Sequence, residues 1–199
     1  MIWVNQFTQI INSNLEKVNL ESVTINDIGC NVGHFARNIE KINKRVNYRG
    51  IDISKTYLDI AKKNFLNLNF IIDDFSRKDL IRSDFEADIT VVSATLEHIE
   101  EYFVFLENIF ATTSKNVIIR TFLGDETKVQ YCRKEAASNE YLIRQFQIDD
   151  IVNKSFNKNW SYEIIKDQAT NSENKKICEN IFRTQFVVNF LNQNSKGVK

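Results

Sequence analysis

A glycine turn near residue 30 has residue types and a spacing that suit the binding of a small ligand. It follows a β-type run, 23–28, and has Gly29 and Gly33 separated by three residues. Backbone N–H groups in such a turn, at the start of a helix, favour a negatively charged group. A dinucleotide fingerprint would require glycine at positions 31 and 34, where the chain has Asn31 and His34, so the spacing argues against a dinucleotide. A helical apolar pattern follows: Phe35, Ile39 and Ile42.

Carboxylates and a hydroxyl follow at the ends of the β-type runs. Asp27 lies one residue before the end of the first run, and Asp52 ends the second. Asp73 and Asp74 end the third run, and Ser93 ends the fourth. In an open α/β sheet, ligands bind beyond the carboxyl ends of the strands, where the strand order reverses. These residues are therefore candidates for one binding site beside the glycine turn.

β-type runs alternate with helical patterns up to residue 121, which predicts a parallel sheet with helices on both faces. The last third of the chain differs. Residues 122–137 are mixed and polar and predict a loop, and residues 138–152 have a helical apolar pattern. Two further runs predict a hairpin in which one strand is antiparallel. The predicted strands are 23–28, 46–53, 68–72, 87–93, 116–121, 160–165 and 181–190.

The run Asp27-x-Gly29-x-x-x-Gly33 resembles the first motif of the class I S-adenosylmethionine-dependent methyltransferases. Asp74, four residues after Phe70, is similar to the family's aromatic-x-x-x-Asp pattern. The segment 96–99, Leu-Glu-His-Ile, resembles the family's segment beside the sulfonium. The resemblance covers residues 23–121 well and the final hairpin by pattern alone.

The resemblance implies an α/β, Rossmann-like fold. Its sheet is seven-stranded and mostly parallel, with a C-terminal antiparallel hairpin and helices on both faces. We expect one methyltransferase domain over residues 1–199. Its parts are an N-terminal helix (1–21), a cofactor-binding half (22–121) and a substrate-side half with the closing hairpin (122–191).

The cofactor implied by the resemblance is S-adenosylmethionine. Asp52 is expected to accept hydrogen bonds from the ribose hydroxyls. Asp74, with Asp73 as its competitor, is expected to contact the adenine amino group. Asp27 either stabilises the turn or contacts the methionine amino group. The candidate cofactor-binding residues are Asp27, Gly29, Cys30, Asn31, Gly33, Asp52, Ile53, Asp74, Phe75 and Ser93.

Three of these candidates carry more specific expectations. Cys30 is expected to donate its backbone N–H and not to act as a nucleophile. Asn31 stands where the family more often has glycine, and asparagine readily enters left-handed conformations. Phe75 is expected to pack on the adenine ring. His34, which begins the helical pattern, is expected to be exposed.

The candidate catalytic residues are His98 and Glu97. Methyl transfer is an in-line displacement, for which alignment can supply about 7–11 kcal/mol. If the acceptor is a hydroxyl, a base beside it accelerates transfer by roughly two to four orders of magnitude. His98 is our candidate for that base, because the ordinary pKa of histidine lies near neutrality. The alternative is that His98 bonds a neighbouring backbone group and orients the loop.

The acceptor is expected to be a hydroxyl of a small molecule or a carbohydrate. Lysine plus arginine equals aspartate plus glutamate, 26 each, so no overall field attracts nucleic acid. Without proline, the chain lacks the Pro-Pro-Tyr and Pro-Cys motifs of nucleic-acid methyltransferases. Two alternatives stay open: a non-catalytic S-adenosylmethionine-binding module, and another transferase on the same fold. The expected substrate walls are Trp3, Phe7, Glu101, Tyr102, Phe122, Asp125, Tyr131 and Arg133.

Three widely spaced cysteines, Cys30, Cys132 and Cys178, form no metal-binding pattern and predict reduced thiols. The first residues lack the pattern of a signal peptide, and no apolar run approaches the roughly 20 residues of a membrane span. We therefore expect a cytoplasmic protein without a bound metal or a membrane partner. A homodimer is left open.

Overall fold

The computed structural model describes residues 1–16, 18, 20–133, 140–155, 159–177 and 181–195. The α-helices are α1 (Ile2–Leu15), α2 (Lys55–Asn64), α3 (Tyr102–Thr112) and α4 (Ile148–Ser155). The 3-10 helices are Ala36–Lys41, Arg82–Phe85, Leu96–His98 and Gln193–Ser195. The strands are β1 (Ser22–Ile28), β2 (Arg45–Asp52), β3 (Asn69–Ile72), β4 (Ala87–Ser93), β5 (Thr113–Phe122), β6 (Lys128–Arg133), β7 (Glu140–Gln145), β8 (Trp160–Lys166), β9 (Lys175–Lys176), β10 (Phe182–Arg183) and β11 (Gln185–Asn192).

The central sheet has seven strands in the order β3-β2-β1-β4-β5-β11-β8. Strands β1 to β5 pair in parallel, and β11 pairs antiparallel with both β5 and β8. The predicted mostly parallel sheet with an antiparallel closure is therefore confirmed. The strand order reverses between β1 and β4, so the carboxyl ends of these two strands border the crevice of the fold.

Apolar side chains cover both faces of the sheet. Val91 and Ile118 belong to a buried cluster that includes α1, whereas their neighbours Val92 and Ile119 belong to a second cluster that includes α3. This alternation follows from the two-residue period of a strand. The β-branched runs of β4 and β5 are buried on both sides, as parallel strands between helical layers require.

The helix predicted after the glycine turn is shorter than expected. Residues 31–35 form turns, and only Ala36–Lys41 is helical, as a 3-10 helix. The predicted apolar face is present, because Phe35, Ile39 and Ile42 are all buried. A single 3-10 segment has few aligned peptide dipoles, so the expected helix-dipole charge at the turn is much reduced.

The region 122–152 was predicted wrongly. Strands β6 and β7 form a two-stranded antiparallel hairpin where a loop and a helix were expected, and only α4 is helical. In β7, the four residues 142–145 are all buried, and a run buried on both sides has no period that separates strand from helix. Residues 134–139 of the predicted loop and helix lie outside the described residues.

Cysteine chemistry also differs from the prediction. Cys132 on β6 is disulfide-bonded, so the expectation of reduced thiols is wrong there. Cys30 is a buried free thiol, and Cys178 lies outside the described residues. Sequence separation was a poor guide because folding can bring distant cysteines within bonding distance. None of the described helices has the length and apolar content that a membrane span requires.

Candidate functional site

A cleft of about 640 Å³ lies at the carboxyl ends of β1, β2 and β4. Its volume lies within the range of about 300–1,000 Å³ that is usual for small-molecule sites. All the candidate cofactor-binding residues except Gly33 line it, together with the candidate base His98. The lining residues that the sequence did not single out for ligand binding include His34, Tyr57, Thr95 and Arg120.

The glycine turn has the backbone conformation that its sequence predicts. Gly29 and Gly33 have φ values of +72° and +83°, and Asn31 is left-handed at +53°. A Cβ atom on Gly33 would lie 2.7 Å from Cε2 of Phe65, and one on Gly29 would collide with the Thr95 hydroxyl. Glycine is therefore required at both positions, by handedness and by space.

The N–H groups of the turn are bonded within the protein, which corrects the prediction that they face a ligand. Each backbone N–H from residue 29 to residue 33 donates to the turn itself or to β2, over 2.8–3.1 Å. The expectation for Cys30 is corrected in the same way, because its backbone N–H donates to the Ile51 carbonyl and not to a ligand. The turn therefore presents side chains and Cβ-free backbone to the cleft. The acceptors are the Ile51 carbonyl for residues 29 and 30, the Asp52 carboxylate for Asn31, the Asn31 side chain for Val32, and the Cys30 carbonyl for Gly33.

Asp52 connects the end of β2 to the glycine turn. Its Oδ2 accepts the N–H of Asn31 at 2.9 Å, and its Oδ1 accepts the N–H of Ser54 at 2.8 Å. A carboxylate has about four acceptor sites, so these two bonds leave each oxygen able to accept another donor from the cleft. The side chain is thus held rigidly while it keeps its capacity to bind hydroxyl groups.

Asp27 is buried beneath the turn, with 4% of its surface exposed. The pKa of its carboxyl is raised from 3.8 to about 7, chiefly by burial, with the Tyr48 hydrogen bond lowering it and the Asp52 charge raising it. The Tyr48 hydroxyl donates to Oδ2 over 2.7 Å. Burial also raises the pKa of the neighbouring Cys30 thiol, with Asp27 and Asp52 adding to the effect, so Cys30 is a poor nucleophile.

Asp73 and Asp74 both line the cleft but are bonded differently. Asp73 forms an ion pair with Arg77 at 3.0 Å. Asp74 accepts the N–H and the hydroxyl of Ser76 on Oδ1, at 2.8 and 2.6 Å. Because the charge of Asp73 is neutralised by Arg77, Asp74 is the better candidate for a ligand. Phe75 is 2% exposed and packs edge-on against Phe85, with ring centroids 5.1 Å apart.

The chain turns sharply after β4 and presents His98. Ala94 is left-handed, with φ +54°, and its N–H donates to the carbonyl of Arg120 at 2.9 Å. His98 is exposed, and its Nδ1 lies 2.7 Å from the carbonyl oxygen of Leu142 on β7. Since a carbonyl only accepts, Nδ1 carries the proton in this contact and Nε2 of the neutral ring is left as a proton acceptor.

Glu97 lies beside His98 but outside the cofactor cleft. It is 1% exposed, and its Oε2 accepts the Thr121 hydroxyl at 3.1 Å. Its Oε1 is buried and has no hydrogen-bond partner among the described residues. Burial raises the pKa of its carboxyl, although the charges of His98 and Arg120 oppose the shift.

Among the residues of the cleft that sequence reasoning missed, Arg120 and His34 are the most informative. Arg120 ends an apolar run in β5 and is buried with Asp167, which it contacts at 2.8 Å. A charged residue within such a run is a signal that could have been used. His34 is half-buried in the cleft and not exposed as expected, and its Nδ1 has no hydrogen-bond partner among the described residues.

The expected substrate walls are only partly found at the cleft. Trp3 of α1 lines it, but Phe7 is wholly buried in the core, so its assignment was wrong. Tyr102 is also buried, with the guanidinium carbon of Arg144 4.4 Å from its ring centroid. Tyr131 is exposed on β6 and donates to Glu100 over 2.7 Å.

Solved structures with this architecture include several S-adenosylmethionine-dependent methyltransferases. One from Clostridium acetobutylicum has a TM-score of 0.66 at 12% identity, over 95% of this chain and 92% of that chain. The glycopeptide N-methyltransferase MtfA, in complex with (S)-adenosyl-L-homocysteine, has a TM-score of 0.65 at 7% identity, over 95% and 88%. Magnesium protoporphyrin IX methyltransferase from Synechocystis PCC 6803 has a TM-score of 0.59 at 14% identity, over 95% and 77%. The fold is therefore that of the Rossmann-like methyltransferases.

The sequence comparison gives a family match for the cofactor-binding half of the chain. Residues 26–119 match the family described as "Methyltransferase domain", while no curated protein sequence matches the chain significantly. The matched residues make up just under half of the chain, and this match, together with the fold, agrees with the resemblance of the motifs to the class I S-adenosylmethionine-dependent methyltransferases. S-adenosylmethionine is the cofactor of this family.

Proposed function

We propose that the chain transfers a methyl group from S-adenosylmethionine to a hydroxyl of a small-molecule acceptor. The observation that carries this proposal is the single cleft that brings together Asp27, Asp52, Asp74 and His98. Three carboxylates at separate strand ends suit a ligand with several hydrogen-bond donors. A histidine at the same cleft suits proton transfer beside that ligand.

The residues of the cleft fit the cofactor. Asp52 would hold the ribose hydroxyls with the acceptor sites that Asn31 and Ser54 leave free. Asp74 would accept from the adenine amino group. Asp27 would face the methionine amino group, which favours its ionised form. Phe75, Gly29 and Ile53 would border the ligand through apolar contact and close backbone approach.

When bound, S-adenosylmethionine supplies a methyl group on a positively charged sulfur. His98 Nε2 would accept the proton of the acceptor hydroxyl as its oxygen takes up that methyl group, and the cofactor would leave as a neutral thioether. The Leu142 carbonyl supports this step because it keeps the other ring nitrogen protonated. His98 thus needs no rearrangement to act as a base.

Support for a small acceptor comes from the balanced charge of the chain, 26 basic and 26 acidic residues, which gives no field for nucleic acid. Structural neighbours include a glycopeptide N-methyltransferase and a magnesium protoporphyrin IX methyltransferase, so the fold leaves the acceptor open. A carbohydrate hydroxyl is a second candidate within the same class. A cytoplasmic location stays a prediction.

Thermal unfolding with S-adenosylhomocysteine tests the cofactor site. Ligand at a hundred times its Kd adds about 2.7 kcal/mol of stability, which for a domain of this size raises Tm by roughly 5–11 °C. We expect this rise with S-adenosylhomocysteine and none with NAD. Asp52→Asn should weaken the rise, whereas Asp59→Asn on the exposed face of α2 should leave it unchanged. No rise in the unmodified protein would refute the proposed function.

A further inference from the structure

A second cavity of about 440 Å³ adjoins the cofactor cleft. The two spaces share two lining residues, Ala94 and His98. His98 therefore stands between them, with the cofactor cleft on one side and the second cavity on the other. An in-line methyl transfer needs this arrangement, because the acceptor must approach from the side opposite the sulfur. The other lining residues are Glu97, Phe122, Tyr141, Ile143, Ile177 and Gln185.

One part of the second cavity is apolar. Phe122 ends β5 and Ile143 lies on β7, with 5% and 3% of their surfaces exposed. Ile177 packs against the same small cluster. Walls of this kind suit a flat apolar ring and offer few partners for the many hydroxyls of a sugar.

The polar part of the cavity contains a buried carboxyl oxygen without a partner. Glu97 is 1% exposed and is held through Oε2 by the Thr121 hydroxyl, but Oε1 is unbonded among the described residues. Arg120 is the nearby cation, but its side-chain hydrogen bonds go to Asp167 and Gln185 and leave Glu97 Oε1 without a donor. A buried acceptor is unfavourable unless something donates to it, and a ligand in this cavity is placed to do so.

We propose that the second cavity holds the methyl acceptor and that this acceptor is a planar aromatic alcohol with a second hydroxyl or amino group. The second group donates to Glu97 Oε1, the ring lies between Phe122 and Ile143, and the hydroxyl to be methylated faces His98. Glu97 and His98 both line this cavity, so a single small acceptor can contact the two side chains together. The inference rests on the methyl-transfer function proposed above and narrows its acceptor.

The test is a calorimetric titration of 1,2-dihydroxybenzene into the full chain saturated with S-adenosylhomocysteine, with methyl glucoside as the comparison probe. We expect 1,2-dihydroxybenzene to bind and methyl glucoside not to bind. Ile143→Trp, which fills the cavity, should abolish this binding. Glu97→Gln, which keeps the size but replaces the carboxyl group by an amide, should weaken it about tenfold. Val129→Thr, on the exposed side of β6, is the matched control and should bind as the unmodified chain does.

S-adenosylhomocysteine binding is measured first in each variant and separates the two hypotheses. It should stay within about threefold in Ile143→Trp and Glu97→Gln, because neither residue lines the cofactor cleft. If S-adenosylhomocysteine binds but 1,2-dihydroxybenzene does not, or binds equally to the filled variant, the acceptor assignment is overturned. Tighter binding of methyl glucoside would overturn it too. Failure of S-adenosylhomocysteine to bind would instead refute the function itself.

Discussion

Neighbouring side chains at the site differ in chemistry because they differ in burial. Glu97 and His98 are adjacent, yet Glu97 is 1% exposed and His98 is exposed to the cleft. Burial favours the neutral form of Glu97, whereas the Leu142 carbonyl fixes the ring of His98 without desolvating Nε2. Asp27 and Asp52 are both buried but have different partners, because Asp27 accepts the Tyr48 hydroxyl whereas Asp52 accepts two backbone N–H groups.

His98→Asn is predicted to remove the base but not the contact that positions it. The asparagine amide can still donate to the Leu142 carbonyl, so unfolding and S-adenosylhomocysteine affinity should be nearly unchanged. Methyl transfer should fall by roughly 10²–10⁴, measured as labelled methyl from S-adenosylmethionine appearing in the small-molecule fraction of a cell extract. Val129→Thr, on the exposed side of β6, is the control. Unchanged turnover in His98→Asn at saturating acceptor would show that His98 is only structural.

Asp27→Asn is predicted to change how stability depends on pH. The pKa of Asp27 is raised by burial from 3.8 to about 7, so the folded state keeps this proton longer than the unfolded state does. The contribution of Asp27 is therefore complete below pH 4 and is lost as the pH rises through 7, at up to about 1.4 kcal/mol per pH unit. Urea unfolding from pH 4 to 8 should show this loss in the unmodified chain and not in Asp27→Asn. Parallel curves for the two proteins would contradict the assignment.

At the scale of elements, the glycine turn borders the cofactor cleft and the β6–β7 hairpin borders the second cavity. The glycine turn bonds its N–H groups to β2 and to itself, which leaves the acids around it to meet a ligand. The β6–β7 hairpin places Leu142 and Ile143 beside His98. The cofactor cleft therefore depends on the parallel sheet, and the second cavity depends on an element outside it.

The sequence indicated the parallel sheet and the acids at its strand ends. Both are local features, because a β-branched run such as β4 and an acid that follows a strand can be seen without knowing the tertiary structure. It could not indicate that Asp52 would bond the N–H of Asn31, since this contact depends on the pairing of β1 with β2. The β6–β7 hairpin was missed because residues 142–145 are buried on both sides and have no clear period. The family resemblance narrowed the function and left the acceptor undetermined.

Gly33→Ala is predicted to destabilise the turn. A left-handed alanine costs about 1–2 kcal/mol, and the added Cβ would lie 2.7 Å from the Phe65 ring. Asn171→Ala, at an exposed left-handed position with φ +56°, carries the first penalty without the second. The free energy of unfolding of both variants is measured by chemical denaturation, and the difference between the two losses reports the contact with Phe65. Equal losses would mean that the ring moves aside freely.

At the scale of the whole molecule, one ion pair joins the parallel half of the sheet to its antiparallel closure. Arg120 of β5 bonds Asp167, which follows β8, at 2.8 and 3.1 Å. Both side chains are buried, with 6% and 0% of their surfaces exposed. Burial alone would raise the pKa of Asp167, but the hydrogen bonds from Arg120 and Thr170 lower it, so the carboxylate is charged in the folded protein.

Asp167→Asn is predicted to destabilise the chain by about 3–5 kcal/mol, because it removes the counter-ion of the buried Arg120 guanidinium. The measurement is the free energy of unfolding in urea at pH 7. Glu107→Gln breaks an exposed ion pair with Arg82 and should change stability by less than about 1 kcal/mol. A small effect of Asp167→Asn would indicate that water reaches the guanidinium.

The β6–β7 hairpin forms a sheet of its own, and the seven strands that carry the cofactor cleft do not include it. Substitutions in the hairpin that keep the Leu142 carbonyl against His98 therefore reshape the second cavity, while the strand ends that line the cofactor cleft stay in place. Selection can then change which molecule is methylated without first losing the methyl donor. Laboratory evolution of this chain should begin with libraries confined to residues 128–145, where variants that retain the donor site are expected to be most frequent.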